Sequence, residues 1–474
     1  MKQPFGDSER FFTRNLICYL SLMKNLICLS LLQFFVLVSC KMTTTESDSD
    51  DRATIAAEIE KSITTELLNK WYPAVIDSAK GGYITTFTYD FKPTGEQDKM
   101  IVTQARHIWT ASKAFMDYHD DMYRKVADHG VAFLKNVMWD KTNGGFYQLT
   151  DRNGNVKDVQ KTAYGNAFAI YALAAYVMAF NDSSALNLAK KGFLWLEKYS
   201  HDPKALGYFQ HLNADGSLSK RKPETPSTSD LGYKDQNSSI HLLEAFSELY
   251  QVWPDPLVKE RLTEMISLIR DTIVNEKGNL VLFLQPDWTP VSFRDSSEAS
   301  ILKYKNLDHV SFGHDVETAY LLMEASHIAG ITNDEKTKMI AKKMVDQALE
   351  NGWDKNVGGF FDEGYYFKNT NGISIIKDTK NWWAQAEGLN TLLIMADLYP
   401  NDEHQYFDKF KLLWHYINTN LIDHEFGEWY QGGLDKEPDQ KKNLKGHIWK
   451  ASYHQYRSLS NCVKRLRNEK TETH

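Results

Sequence analysis

Cysteine is scarce where the chain can fold. Of the four cysteines, Cys18, Cys28 and Cys40 sit at the N-terminal end, and Cys462 stands alone in the rest. One thiol can form neither an intrachain disulfide nor a cysteine metal cluster, so the folded part must stand on its hydrophobic core. Excess positive charge is also lacking. Against 55 Lys and Arg stand 62 Asp and Glu, a net charge of −7, which excludes the electrostatic footprint of a nucleic-acid binder. Several signatures of common chemistries are missing: no Gly-x-Gly-x-x-Gly, no phosphate loop, no Gly-x-Ser-x-Gly elbow. His424-Glu425 has no second His at the spacing of a zinc helix. His314-x-x-Glu317 lacks the second Glu-x-x-His of a carboxylate-bridged metal site. No metal and no cofactor are therefore expected.

Aromatic residues are plentiful, with 12 Trp, 24 Tyr and 24 Phe. Such a content fits a large helical core, and it also fits a cleft in which rings stack on sugar faces. The N-terminus reads as an export signal. Residues 25–38 form an apolar run too short for a comfortable membrane span, with Met23-Lys24 directly before it. Leu37-Val38-Ser39-Cys40 resembles a bacterial lipobox, in which Cys40 would be lipidated as the first mature residue. On this reading 1–40 is a lipoprotein signal segment whose true start is Met23. Residues 41–52, rich in Thr, Ser and Asp, are a flexible tether. The folded domain is 53–462 and the polar tail 463–474. Lys41 does not resemble an inner-membrane retention signal, so a lipid-anchored monomer of the bacterial cell envelope, at the outer membrane or in the periplasm, is expected.

One local pattern recurs through 53–462. A helix-like segment ends, a Gly/aromatic turn follows, and a second helix-like segment comes after it. The turns are Gly81-Gly82-Tyr83, Gly144-Gly145-Phe146, Gly207-Tyr208, Gly278-Asn279-Leu280, Gly358-Gly359-Phe360 and Gly427-Glu428-Trp429. Repeats of this length call for a repeat architecture before any other. The segments before the turns (55–70, 121–138, 185–199, 256–274, 335–351, 404–420) are amphipathic. Those after them (104–119, 165–180, 238–252, 315–329, 384–398, 447–461) are more apolar. Half-exposed helices alternating with buried ones predict an all-α (α/α)6 barrel with short β-hairpin turns, in preference to an open solenoid. Long connections at 215–236 and 284–311 would lie at its active-site end.

In such a ring every inner helix starts at the same end, and the residues at the six starts converge. They are Arg106 with His107 and Trp109; Tyr164 and Asn166; Asn237 and His241; His314 and Glu317; Trp382, Trp383 and Glu387; Trp449 and His454. Any one of these has a plain structural use, as a cap, a core group or a partner for a helix dipole. Their recurrence at one phase of each repeat points to a shared pocket. Imidazoles suit proton transfer near neutral pH, and helix N-termini favour an anionic intermediate.

The segments Gln104-Ala105-Arg106, Asn237-x-x-x-His241, Gly313-His314-Asp315-Val316-Glu317, Trp382-Trp383-x-Gln385-x-Glu387 and Trp449-Lys450-x-x-Tyr453-His454 occur in one order over about 55–460. Together they resemble the N-acylglucosamine 2-epimerase family, and within it the cellobiose 2-epimerase branch. The resemblance implies an (α/α)6 barrel, no cofactor, and inversion at C2 of a reducing-end aldose through a cis-enediolate. It implies that His314 and His454 are the two acid/bases, that His241 assists ring opening, and that Arg106 stabilises the developing oxyanion. Tyr164, Asn237, Glu317, Trp382, Trp383, Glu387 and Trp449 would hold the sugar, with the choice between the two adjacent tryptophans open. The expected partner is a small mono- or disaccharide, with no nucleic acid, and a membrane only through the lipid anchor. Three other readings stand beside this one: an aldose–ketose isomerase acting on mannose, a glycoside hydrolase on the same barrel, and a non-catalytic sugar-binding lipoprotein.

Overall fold

A computed structural model describes residues 51–468 except Asn333. The chain divides into two compact units, Met1–Glu58 and Ile59–His474. The described part of the first, 51–58, is helical. Cys40, the proposed signal and most of the tether lie outside the described residues, as does the end of the polar tail.

Six inner helices run Ile101–Tyr118, Ala163–Phe180, Gln236–Val252, Phe312–Ile328, Trp382–Leu398 and Tyr453–Leu466. Each packs against the next, and the sixth returns to the first, so the ring is closed. Outside them lie Asp121–Phe133, Ser183–Tyr199, Pro256–Leu268, Glu335–Gly352 and Tyr406–Asn420, with Ile63–Leu68 completing the set. This is the (α/α)6 barrel that the alternating helices predict. Ala163–Phe180 shows why the inner helices read as apolar. It is long and apolar enough to cross a membrane, yet it is mostly buried inside the ring, because it has neighbours on nearly every side.

Local chemistry fixes the boundaries. Four outer helices open on an aspartate whose side chain accepts a backbone N–H of the first turn: Asp120 from Met122, Asp182 from Ala185, Asp255 from Leu257 and Asp334 from Thr337. Each such cap contributes about 1 kcal/mol. Three outer helices carry a π-helical turn, Ile63–Leu68, Leu134–Met138 and Ile269–Ile273. The sixth inner helix runs Tyr453–Leu466 and not 447–461. It begins late because His447 and Lys450 pair across a tight turn and Trp449 stays in the loop, and it ends late because Val463 and Leu466, expected in the polar tail, are buried.

In four repeats the Gly/aromatic turn is laced to the inner ring. The N–H of Tyr83, Phe146, Leu280 and Phe360 donates to Gln104, Asn166, Asp315 and Gln385 respectively. Each acceptor is the fourth residue of its inner helix. The turn glycines permit this approach: Gly82 has φ +61°, and a Cβ there would lie 2.6 Å from Gln104 Oε1. Asp77, Asp140, Asp202, Asp354 and Asp423 begin the turns, and each pairs with a buried lysine, at 3.1 Å for Lys99, 2.7 Å for Lys161, 2.8 Å for Lys234, 2.8 Å for Lys380 and 2.7 Å for Lys445. In the fourth repeat Asn275 takes the aspartate's place and Val310 the lysine's, so both charges are absent together.

Candidate active site

The inner ring presents side chains in layers. Near the funnel mouth stand Tyr164, Asn237, His314, Trp383 and His454, each the second or third residue of its helix. One turn deeper the sixth residues of five helices meet: Arg106, Phe168, His241, Glu317 and Glu387. Arg457, from the sixth helix, reaches the same depth.

His314 and His454 both lie beside one indole. The Trp383 ring centroid lies 4.6 Å from that of His314 and 5.9 Å from that of His454. Gly313 makes room for this, since a Cβ on it would lie 2.8 Å from Trp383 Cη2. Each imidazole is tied through Nδ1. His314 Nδ1 lies 2.7 Å from Ser311 Oγ, and His454 Nδ1 lies 2.7 Å from Glu387 Oε1. Nε2 is the ring nitrogen left to act on a substrate in each case. Burial, with the neighbouring His241 and His309, lowers His314 to about 3. Burial also holds His454 well below the usual histidine range, helped by Arg106, Arg457, His241 and His314. Both rings are therefore neutral near pH 7.

Behind them is a buried charge network. Arg457 Nη2 donates to Glu317 Oε1 and to Glu387 Oε1, both at 2.6 Å, and its Nη1 donates to Glu244. Tyr453 also donates to Glu244, and His241 Nδ1 lies 2.9 Å from the other oxygen of that carboxylate. Burial favours the neutral acid, but Arg457 and His241 outweigh it and hold Glu244 at about 2. Glu387 is pushed up, by burial and by the charge of Glu317 against the opposing pull of Arg457. Glu317, Glu387 and His454 bring ligand atoms within 4.8 Å of one another, a spacing that a metal ion could bridge. The positive charge between the two carboxylates is already supplied by Arg457.

Arg106 crosses the funnel. It donates to the Trp449 carbonyl at 2.7 Å and to the Tyr164 hydroxyl at 3.3 Å, over the Phe168 ring. Tyr164 in turn stands edge-on to His241, with ring centroids 5.1 Å apart. Asn237 Oδ1 and Arg106 Nε are buried and unpartnered. They are free to meet a polar ligand.

The funnel thus gathers Arg106, Tyr164, Asn237, His241, His314, Glu317, Trp383, Glu387, Trp449 and His454. Trp382 turns elsewhere. It is buried over the Lys450 ammonium, 6.3 Å from the His447 ring, so Trp383 is the tryptophan that faces the imidazoles. Three expected funnel residues serve the scaffold. His107 is packed among Trp71, Tyr72 and Tyr83; Trp109 stacks on Tyr171; Asn166 holds the turn at Phe146. The carboxylate beside His314 is not its partner either, since Glu317 binds Arg457. Sequence reasoning missed Phe168, Glu244 and Arg457. The signal was the spacing: His241–Glu244 and His454–Arg457 repeat the three-residue step of His314–Glu317, which stacks one side chain above the next on a helix face.

The closed ring of paired helices, with imidazoles and a guanidinium at one end, is that of a carbohydrate epimerase or isomerase by the likenesses that follow. The sequence profile of N-acylglucosamine 2-epimerase (GlcNAc 2-epimerase) matches residues 82–458, and the chain belongs to that family. A cellobiose 2-epimerase of Bacteroides fragilis is 28% identical over 428 residues, 86% of this chain and 98% of that protein. A D-mannose isomerase of Marinomonas mediterranea is 23% identical over 423 residues, 88% and 98% of the two chains. Among solved structures, cellobiose 2-epimerase from Bacillus thermoamylovorans superposes with a TM-score of 0.75 at 25% identity, covering 87% of this chain and all of the other.

Proposed function

We propose that the enzyme inverts C2 at the reducing end of a disaccharide of the cellobiose or mannobiose type. The supporting observation is the pair of imidazoles on one indole, each anchored through Nδ1. His241 assists opening of the sugar ring. One of His314 and His454 takes the C2 proton on Nε2, and the C–H electron pair moves into a cis-enediolate. Arg106 stabilises the developing O⁻. Rotation about C2–C3 presents the other face of C2 to the opposite imidazole, which returns a proton. Tyr164, Asn237, Glu317, Trp383, Glu387 and Trp449 hold the sugar, and Trp382 supports the loop that carries Trp449.

An aldose–ketose isomerase is the second reading, favoured by the likeness to a D-mannose isomerase. It shares the enediolate but returns the proton to C1. Hydrolysis fits less well. A glycosidase needs two carboxylates flanking one bond, whereas Glu317 and Glu387 both accept from the same nitrogen of Arg457. Incubation with glucose, mannose, cellobiose and mannobiose, followed by NMR, separates the readings. A C2 epimer supports the first, a ketose replaces it with the second, and a released monosaccharide overturns both. Cys40 is proposed as the acylation site of a monomer held at the cell envelope. Loss of the protein from the membrane fraction in Cys40→Ala is the expected result.

A further inference from the structure

Arg457 is 1% exposed, and both of its terminal nitrogens are engaged by the carboxylates of Glu244, Glu317 and Glu387. It contacts every carboxylate that contacts a candidate acid/base. Through Glu387 it reaches His454, and through Glu244 it reaches His241. Its Nη1 also donates to Tyr453, next to His454 in the helix. One planar fork thus sets the direction of two imidazoles on two helices. Lysine, a point charge on a flexible stem, cannot span Glu244, Glu317 and Glu387 at once. His314 is different: its Nδ1 partner is the neutral Ser311 hydroxyl, outside the network.

We infer that Arg457 is a positioning residue that aims His454 at C2 and so makes proton return on the second face possible. The inference rests on the two-imidazole reading above. Its consequence is asymmetric. Without the fork, His314 still removes the C2 proton from the epimer whose C2–H faces it. The enediolate then waits longer for His454. During that wait the proton on His314 exchanges with solvent, and a deuteron goes back to the same face. The C2–H bond breaks, a C2–D bond forms, and the starting sugar is recovered labelled and uninverted.

The test is NMR of both purified epimers in D2O with wild type, Arg457→Lys and Tyr453→Phe. The ratio of C2 exchange without inversion to inversion should rise ~10-fold or more in Arg457→Lys for one epimer only, a size within the reach of one general acid. Tyr453→Phe loosens the fork without unpairing a charge, so it reports even if Arg457→Lys does not fold. It should move the ratio in the same direction by ~3-fold. A purely structural arginine lowers exchange and inversion together, and an unchanged ratio in the variants that fold overturns the inference. No label at C2 with wild type would instead remove the two-imidazole reading itself.

Discussion

At the scale of single residues, the site depends on how closely helices four and five approach. Gly313 faces Ala384 and Trp383, and a methyl group there would sit 2.6 Å from Ala384 Cβ. Gly313→Ala must push the fifth helix or the indole away. It should cost about 1–3 kcal/mol of stability by overpacking, and turnover should fall further than lost folding explains. Denaturant titration beside steady-state kinetics separates the two. The adjacent tryptophans offer a second comparison. Trp383→Ala should cut kcat/KM about 100-fold or more, as removal of a positioning group does. Trp382→Phe should chiefly lower the melting temperature. Equal kinetic damage from both would place the sugar against the wrong ring.

At the scale of elements, the buried Lys–Asp pairs hold the turns to the inner ring. Lys161 pairs with Asp140 at 2.7 Å and also donates to the Ala214 carbonyl, which joins one repeat to the next. Lys161→Met strands Asp140 and should cost about 3–5 kcal/mol. Asp140→Asn added to Lys161→Met should restore part of that loss, because no charge is then left unpaired. Melting curves of the two variants check it. These pairs were not legible in the sequence, since each lysine lies in an extended segment far along the chain from its aspartate and reads as a solvated loop charge. The helices themselves were legible. Their apolar spacing and the Gly/aromatic turns are local signals, and Ala163–Phe180 could hardly be anything but a core helix. The start of the sixth inner helix was misread because Trp449 and Lys450 continue the apolar and aromatic pattern while the backbone still turns.

At the scale of the whole molecule, the funnel was foreseen as a place and only partly as a mechanism. Residues at helix starts were found because they recur at one phase. Arg457 and Glu244 were not, since a charge in mid-helix usually faces water, and here a closed ring buries it. The same burial sets the response to pH. His107 and His314 titrate at about 3, against an ordinary value of 6.5, burial being the main cause in both. The unfolded chain therefore takes up these protons first as pH falls. Their contribution to stability is complete above about pH 6.5 and is lost progressively toward pH 3. His107→Gln, remote from the funnel, should flatten that decline in a pH series of denaturant melts without altering product identity. The central claim concerns the hydrogen at C2. Cellobiose incubated in D2O with wild type and with His314→Asn tests it most directly. The account predicts one deuterium at C2 of the epimer with wild type, and at least about a 1000-fold slower inversion without the imidazole. An unlabelled epimer, formed as fast by His314→Asn as by wild type, contradicts it.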